Sequence, residues 1–390
     1  MEAPLYYQDS QVKLYQGHCL DGLKSLPDES IDCCISSPPY WNLRQYGTTQ
    51  QVWGGNPDCS HRWETETYYR EGGAKGAARE NFKPGGQENA EHIKAVRWHS
   101  ETRCSRCGAW QGELGQERTI QEYIAHLVEV WAHVHRVLKP TGTCWLNIAD
   151  SYNGSGRGGS DPAHRQHRKT TWSKGLKKKD LCLIPQRLAI SLQEFGWYVR
   201  SEIIWRKPSP MPESVTDRPT RAHEQVWLLT KGHRYYYDQH AIREAAQDNG
   251  CRNRDHGKYT TPTGAIKTPH SGLRDSNWAS RGRNSRTVWT INTASFAGSH
   301  FAVMPDELAL RCILAGCPEG GTVLDPFAGT GTSLAMAKQT GRNAIGIELN
   351  AESCEFVVQR CRQQTIFGEM GEISQPLPNS VSQLDLLKGA

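Results

Sequence analysis

Residues 323–333 read Val-Leu-Asp-Pro-Phe-Ala-Gly-Thr-Gly-Thr-Ser, an apolar segment followed by a glycine-rich turn, and a helical pattern continues over 334–339. Glycines at 329 and 331 allow backbone amides to approach a ligand closely at the start of a helix. The segment 343–348 predicts another strand, which ends in an acid about twenty residues after the turn, where a ribose diol would bind. A third glycine and a phosphate-binding lysine are missing. The pattern therefore favours a nucleoside without phosphates over a dinucleotide or ATP.

A second motif lies near the other end of the chain, where the apolar run Ile31–Ile35 leads into Ser36-Ser37-Pro38-Pro39-Tyr40. Prolines have a fixed φ and no amide hydrogen, so this turn does not extend a sheet. It offers the hydroxyl oxygen of Ser37, the carbonyl of Pro38 and the flat face of Tyr40. Those groups suit an exocyclic amino group and its ring, although such a tripeptide alone is more often a turn with a packed aromatic side chain.

Hydrophobic periodicity around the two motifs predicts alternating strands and helices. The predicted strands are Val12–Leu14, Ile31–Ser36, Thr143–Ile148, Tyr198–Trp205, Gln225–Thr230 and Tyr235–Tyr237, and the predicted helices are Ile120–Val137, Leu183–Phe195 and Pro305–Ala315. This alternation is typical of an α/β fold with a doubly wound, mostly parallel sheet and helices on both faces.

The two motifs together resemble those of the S-adenosylmethionine-dependent DNA methyltransferases that modify exocyclic amino groups. The order matches the β-type, in which the catalytic motif precedes the cofactor motif. Supporting matches lie at 138–143, 205–208, 218–224 and 287–289, so the resemblance covers most of residues 10–365. It implies a Rossmann-like methyltransferase fold, S-adenosylmethionine as the cofactor and double-stranded DNA as the partner. It leaves open whether the chain forms a homodimer.

The resemblance also implies roles for individual residues. The catalytic residues are Ser37, Pro38, Pro39 and Tyr40. The cofactor contacts are Asp325, Phe327, Ala328, Gly329, Thr330, Gly331, Thr332, Glu348 and Asn350, with His300 and Phe301 in the segment that closes over the methionine part. One departure concerns the adenine, because this chain has Gly17-His18 where the family has Gly-Asp. Either His18 takes a related hydrogen-bonding part, or cofactor binding depends more on Asp325 and Glu348.

The chemistry implied is in-line methyl transfer to an amine of a base that has left the duplex. Acceptance of the amine hydrogens by Ser37 and the Pro38 carbonyl would direct the nitrogen lone pair toward the methyl group, while Tyr40 stacks on the ring. This reaction requires the two motifs to meet across one cleft. Serine in the first position of the tetrapeptide is, by resemblance, commoner for N4 of cytosine, and N6 of adenine is the alternative. An RNA or protein amide substrate, or a non-catalytic zinc-containing DNA-binding protein, is less favoured.

Four further residues predict a metal site. Cys59 and His61 lie in a turn-rich stretch, and Cys104 and Cys107 form a Cys-x-x-Cys-Gly turn after a polar spacer. Three thiolates and one imidazole close a tetrahedral zinc site, which leaves no ligand position for a substrate and is therefore structural. Residues 54–118 show no apolar core of their own, which favours a zinc ribbon over an insertion without metal.

Composition agrees with an enzyme that acts on an anion. The 390-residue chain carries a formal net charge of +5, the direction expected for nucleic-acid binding. No apolar run approaches membrane-spanning length, and Met1–Asp9 lacks the pattern of a signal peptide, so we expect a cytoplasmic protein. The thirteen cysteines, many in apolar segments, indicate free thiols rather than disulfides.

These features divide the chain into six predicted parts. Residues 1–53 begin the catalytic core, 54–118 form the insertion, 119–238 continue the core with a mobile basic loop at 153–180, 239–298 form a target-recognition region, 299–367 form the cofactor-binding part, and 368–390 form a flexible tail. We expect the basic loop to contact DNA phosphates and the arginine-rich target-recognition region to read base edges.

Overall fold

Two β-sheets organise the protein in the computed structural model, which describes residues 3–41, 47–69, 98–154, 175–245, 259–260, 266–267, 282–294 and 303–363. The strands are β1 (Leu5–Gln8), β2 (Val12–Gln16), β3 (Ile31–Ser36), β4 (Gln51–Trp53), β5 (Trp63–Tyr69), β6 (Trp98–Cys104), β7 (Trp110–Gly112), β8 (Leu138–Ile148), β9 (Tyr198–Arg206), β10 (His223–Thr230), β11 (Tyr259–Thr260), β12 (Ile266–Lys267), β13 (Val288–Thr290), β14 (Thr322–Asp325) and β15 (Asn343–Glu348). The two short strands β11 and β12 pair with each other.

The larger sheet has nine strands in the order β1-β2-β15-β14-β3-β8-β10-β9-β13. Five of its neighbouring pairs are parallel and three are antiparallel. The antiparallel pairs include β8–β10 and β10–β9, and no helix is described between β9 and β10 that would carry the chain back across the sheet. The predicted α/β class is confirmed, with a sheet that is mixed and parallel at its centre.

Six helices are described: α1 (Cys19–Ser25), α2 (Ile120–Val137), α3 (Ile184–Phe195), α4 (Asp306–Gly316), α5 (Thr332–Gln339) and α6 (Ala351–Gln363). α2 has the bounds that periodicity predicted. Its start is fixed by a capping box, in which the Thr119 hydroxyl accepts from the Glu122 amide at 3.2 Å and the Glu122 carboxylate accepts from the Thr119 amide at 3.2 Å.

Helices pack on both faces of the large sheet, as predicted. Trp131 of α2 lies in a buried cluster with residues of α1 and α3, and Ile313 of α4 lies in a second cluster with residues of α5 and α6. Neighbouring residues of β3 alternate between the two clusters, with Cys34 in the first and Cys33 in the second. Because both faces are covered, the central strands are apolar along nearly their whole length.

The smaller sheet has four antiparallel strands in the order β4-β7-β6-β5. It begins at Gln51, three residues before the predicted start of the insertion. Trp110 and Leu114 are 6% and 7% exposed and belong to the same cluster as α2. The tryptophan and leucine side chains of this part therefore pack on the main domain rather than in an apolar core of their own.

Two strand predictions differ from the structure. Tyr235–Tyr237 form no strand, and the amide of Tyr236 instead donates to the Thr141 carbonyl at 2.8 Å. β8 starts at Leu138 rather than Thr143, because its pairing with β3 shifts register between Ile31 and Cys33 and admits the proline and glycine that interrupt the apolar pattern.

Two further expectations concern disulfides and membrane-spanning helices. Each of the twelve cysteines in the described ranges is a free thiol. Within the same ranges, no helix combines the length and the apolar character needed to cross a membrane.

Candidate active site

A cleft opens where β3 and β14 end side by side. These strands are parallel neighbours, with Leu324 opposite Cys34, so the residues that follow them emerge at the same edge of the sheet. The Ser36 hydroxyl donates to Oδ1 of Asp325 at 2.6 Å. Ser37 and Pro39 line the same cleft as Asp325. The prediction that the two motifs share one cleft is confirmed.

The cleft spans about 1160 Å³, a volume that includes open solvent at its mouth. Most of the predicted cofactor residues line it: His18, Asp325, Phe327, Ala328, Gly329, Thr330, Thr332, Glu348 and Asn350. Gly331 is not among the lining residues. It has φ +79°, and a Cβ there would lie 3.0 Å from Val357, so its part is to let the turn pack against α6. His300 and Phe301 lie outside the described residues.

Asp325 organises the glycine-rich turn. Its Oδ1 accepts from Ser36 and from the Phe327 amide at 3.0 Å, and its Oδ2 accepts from the Ser333 hydroxyl at 2.5 Å. Burial raises the pKa of this carboxyl, while the donors from Ser333, Ser36 and the Phe327 amide oppose that rise. Because both oxygens serve protein donors, Asp325 joins the two motifs before any ligand binds.

Glu348 ends β15 at the rim of the cleft, where a ribose-binding acid was predicted. Its two oxygens accept from the amides of Gly329 and Asn350, each at 2.8 Å. Burial raises the pKa of Glu348 to about 7, although these two amides favour the ionised form. Each carboxylate oxygen has two lone pairs. Each therefore retains one lone pair that could accept from a ribose hydroxyl.

His18 lies at the start of α1, on the wall of the cleft. Burial lowers its pKa to about 4, so the ring is neutral near pH 7. Its Nε2 is buried and has no hydrogen-bond partner among the described residues. Because buried polar atoms are normally paired, a polar edge such as that of adenine would complete this site.

The smaller sheet supplies part of the cleft wall, through Gln51, Trp53, Glu113 and Leu114. The Trp53 ring meets His18 edge-on, with centroids 4.5 Å apart. His126 of α2 stacks against Trp53 and against Trp110, in both cases at 5.5 Å. None of these wall residues was predicted from the sequence, because only the pairing of β4 with β7 brings Trp53 beside the cofactor motif.

The chain that leaves the smaller sheet also contacts the catalytic turn. Gly115 has φ +88°, and a Cβ there would lie 2.9 Å from the Tyr40 carbonyl oxygen and 3.3 Å from that of Pro39. The Trp41 indole donates to the Glu117 carbonyl at 3.4 Å. The chain that follows β7 therefore contacts the catalytic turn, and Trp53 of β4 contacts His18.

The catalytic turn is held by residues from three other elements. The Tyr123 hydroxyl of α2 donates to the Pro39 carbonyl at 2.7 Å. Nδ2 of Asn147 donates to Oγ of Ser37 at 3.0 Å, and the Tyr40 hydroxyl donates to Oε2 of Glu224 at 2.7 Å. Asn147 and Glu224 were not predicted as site residues. The available signal was weak: Asn147 is a polar residue near the end of an apolar strand, and Glu224 precedes the predicted strand Gln225–Thr230.

The four predicted metal ligands form one cluster. The ligand atoms of Cys59, His61, Cys104 and Cys107 all lie within 4.8 Å of one another, and no other such group is found among the described residues. The Cys59 and Cys104 sulfurs are 3.9 Å apart, and the Cys107 sulfur is 3.4 Å from Nδ1 of His61. Zn–S bonds of about 2.3 Å and Zn–N bonds of about 2.0 Å at tetrahedral angles give edges of about 3.8 and 3.5 Å. The donor set therefore fits zinc.

Most of the segments predicted to contact DNA lie outside the described residues. Within the basic loop 153–180 the structure describes 153–154 and 175–180, and within 239–298 it describes 239–245, 259–260, 266–267 and 282–294. The tail 368–390 lies outside the described residues.

Comparison with protein families gives a match over most of the chain. The family model described as DNA methylase, of the N6/N4 methyltransferase class, matches residues 31–359. The Type II methyltransferase M.Cfr9I of Citrobacter freundii is 35% identical over 352 residues, which cover 89% of this chain and 86% of that protein. The Type II methyltransferase M.SmaI of Serratia marcescens is 35% identical over 354 residues, which cover 89% and 90%.

Among solved structures, the PvuII DNA methyltransferase (cytosine-N4-specific) aligns with a TM-score of 0.53. The alignment covers 96% of this chain and 91% of that chain at 15% sequence identity. At that identity the similarity concerns the fold.

Proposed function

Because the chain belongs to the DNA methylase family, whose model matches residues 31–359, we propose that it transfers a methyl group from S-adenosylmethionine to N4 of a flipped-out cytosine in double-stranded DNA. The observation that carries this proposal is the 2.6 Å hydrogen bond between Ser36 and Asp325. It joins the serine-proline motif to the glycine-rich turn, so a methyl donor held by the turn would share the cleft with Ser37.

The cleft suits the nucleoside part of this cofactor. Glu348 retains acceptor capacity for a ribose diol, and His18 has an unpartnered Nε2 on the cleft wall. Gly329 has φ +51°, a conformation that favours glycine. Because glycine has no Cβ, the backbone of the turn is open to the ligand. When bound, S-adenosylmethionine supplies a sulfonium methyl group, whose bond to sulfur breaks with its electron pair kept on sulfur.

The protein contributes alignment and acceptor groups. Ser37 and the Pro38 carbonyl accept the two hydrogens of the exocyclic amine, which directs its lone pair along the line of transfer. The Tyr40 ring stacks on the extruded base. Its hydroxyl donates to Glu224, which holds the ring in place. Once the nitrogen–carbon bond has formed, the amine loses one proton to water.

The choice of N4-cytosine over N6-adenine rests on two supports. Ser37 occupies the first position of the tetrapeptide, where serine resembles the cytosine-N4 group. The PvuII enzyme, named as cytosine-N4-specific, shares the fold. N6-adenine is the second candidate, because a neutral hydroxyl accepts a hydrogen from either amine equally well.

We further propose that Cys59, His61, Cys104 and Cys107 hold one structural zinc ion. The amides of Arg62 and Arg106 each lie 3.4 Å from the Cys104 sulfur, which supports a thiolate there. The basic loop 153–180 and the target-recognition region 239–298 are proposed to contact DNA. The domain boundaries predicted from the sequence are proposed with them.

The test is product analysis. The purified protein is incubated with double-stranded DNA and isotopically labelled S-adenosylmethionine, and the digested nucleosides are separated by liquid chromatography and mass spectrometry. We expect labelled N4-methyldeoxycytidine, lost in Ser37→Ala and retained in Ser30→Ala, a matched change at a half-buried serine whose hydroxyl donates to the Pro27 carbonyl at 2.8 Å. Labelled N6-methyldeoxyadenosine would transfer the proposal to adenine, and labelled RNA or protein with unlabelled DNA would overturn it.

A further inference from the structure

A buried polar network lies behind the Ser-Pro-Pro-Tyr turn. It contains Asn147 from β8, Glu224 from β10 and Lys207, which follows β9. β10 lies between β8 and β9, with Val226 opposite Asn147 and Glu224 opposite Trp205. Asn147 is 3% exposed and Glu224 is 9% exposed.

Glu224 is the only anion in this network and is satisfied by three donors. The Tyr40 hydroxyl lies at 2.7 Å and Nδ2 of Asn147 at 3.1 Å from Oε2. Lys207 forms an ion pair with Oε1. A buried carboxylate is stable only when its charge is paired and its lone pairs are used, and these donors meet that requirement.

The carboxylate fixes the orientation of the Asn147 amide. Because an ionised carboxylate only accepts hydrogen bonds, Asn147 turns its NH₂ group toward Glu224. The same nitrogen lies 3.0 Å from Oγ of Ser37 and 2.8 Å from the Tyr40 hydroxyl oxygen, so its two hydrogens are shared among three acceptors. The carbonyl oxygen of Asn147 is left buried without a partner among the described residues. An unmade buried hydrogen bond is unfavourable, so the charge on Glu224 holds the Asn147 amide in an orientation that leaves its carbonyl without a partner among the described residues.

We propose that Glu224 and Asn147 are positioning residues that keep Ser37 a hydrogen-bond acceptor and hold the Tyr40 ring in place. This inference rests on the proposed methyl transfer. With the NH₂ group directed at Ser37, the serine oxygen receives a hydrogen from Asn147 and offers its remaining lone pair to the target amine. With the amide free to reverse, Ser37 would alternate between accepting from the Asn147 nitrogen and donating to its carbonyl, and the serine lone pairs would have no fixed direction.

The first variant is Glu224→Gln. A glutamine presents its own NH₂ to the network, which removes the reason for Asn147 to direct its NH₂ inward. We expect kcat to fall about 100-fold, the scale of a small misplacement of reacting groups, while the Kd of the cofactor and the KM for DNA stay within about twofold. Asn147→Ala leaves the Glu224–Lys207 pair intact and is expected to lower kcat to a similar extent, so the proposal is testable even if Glu224→Gln fails to fold.

The decisive variant exchanges the two groups. Asn147→Asp combined with Glu224→Gln moves the carboxylate beside Ser37, where it accepts the serine hydrogen and leaves both serine lone pairs for the amine. We expect the double variant to regain at least about tenfold in kcat over Glu224→Gln alone, an interaction that independent sites would not show. The single variant Asn147→Asp is measured alongside. A double variant whose loss of kcat equals the product of the losses in Asn147→Asp and in Glu224→Gln would overturn the proposal, as would an unchanged kcat in Glu224→Gln.

The matched control is Asp32→Asn. Lys139 pairs with Asp32 at 2.8 Å near the start of β3, at the opposite end of the strand from the cleft. We expect this variant to lower the melting temperature without changing kcat. If the wild-type protein methylates no DNA, the proposed function fails. If it methylates DNA and Glu224→Gln does so equally fast, only this inference fails.

Discussion

Glu348 makes cofactor binding depend on pH between about 5.5 and 8. Its pKa is raised to about 7 by burial, and its proposed ribose contacts require the ionised carboxylate as an acceptor. A carboxyl with this pKa is about 90% ionised at pH 8 and about 3% ionised at pH 5.5. Because the apparent Kd rises as the competent fraction falls, cofactor affinity should be about 30-fold weaker at pH 5.5 than at pH 8.

Isothermal titration calorimetry with S-adenosylmethionine at four pH values between 5.5 and 8, at constant ionic strength, measures this dependence. Glu348→Gln removes the titrating group. Since hydrogen bonds to a charged group are worth about 1.5–3 kcal/mol, its affinity at pH 8 should be about 10- to 100-fold below that of the wild type. The difference between the two proteins should shrink toward pH 5.5. Ionisation of the cofactor itself affects both proteins equally and cancels in this comparison.

Glu355→Gln, a change at an exposed acid of α6, is the control and should retain the full pH dependence. Two results would refute the reasoning. One is a wild-type Kd that stays within twofold across the range. The other is a Glu348→Gln protein that retains the 30-fold change, which would assign the titration to another group.

Four further outcomes are expected. Without cofactor, the folded Glu348 carboxyl keeps its proton up to about pH 7, whereas the unfolded chain releases it above pH 4.5. The free energy of unfolding should therefore fall by up to about 3 kcal/mol between pH 5 and pH 8. A urea-denaturation series in which this free energy stays constant would contradict the prediction. Cys104→Ser with Cys107→Ser should remove one zinc ion per chain by elemental analysis and weaken cofactor binding at least about fivefold; metal-free wild-type protein would refute the site. Trp53→Ala should weaken cofactor binding about tenfold, since it removes a large buried side chain from the cleft wall; calorimetry checks this, and an unchanged Kd would count against it. Gly115→Ala should lower kcat more than cofactor affinity, because a Cβ there meets the Tyr40 carbonyl at 2.9 Å; steady-state kinetics that show the reverse would contradict it.

Local patterns predicted the elements whose stabilisation is local. Helix α2 was predicted with its observed bounds, because its apolar face repeats at helical spacing. In the structure, a capping box formed by Thr119 and Glu122 fixes the same start. Strand β3 was predicted with its observed bounds because it is a continuous apolar run closed by prolines. The contact between Ser36 and Asp325 was also predictable. Each of these residues ends a predicted strand, and neighbouring parallel strands end at the same edge of a sheet.

Contacts that depend on distant pairing were not predictable in this way. Trp53 reaches the cofactor cleft because β4 pairs with β7, whose residue Trp110 lies opposite it. Glu224 lies beside Tyr40 only because β10 is antiparallel to β8, which places its first residues at the end where β3 finishes. Neither pairing leaves a periodic signal in the sequence. A short strand can pair with many partners, and the sequence does not distinguish a buried acid from an exposed one.

The insertion contacts residues on both sides of the cleft. Its first strand, β4, ends in Trp53, which contacts His18 on the cofactor side, and the chain that follows its last strand, β7, reaches Gly115 against the carbonyl of Tyr40 on the catalytic side. The four-ligand cluster ties the turn after β4 to the turn between β6 and β7. A metal at that point would shorten the loops that must be ordered, so the separation of the two walls would be set by one compact sheet rather than by flexible chain. We therefore propose that the insertion holds His18 and the Tyr40 turn, which it contacts on either side of the cleft, at a fixed separation.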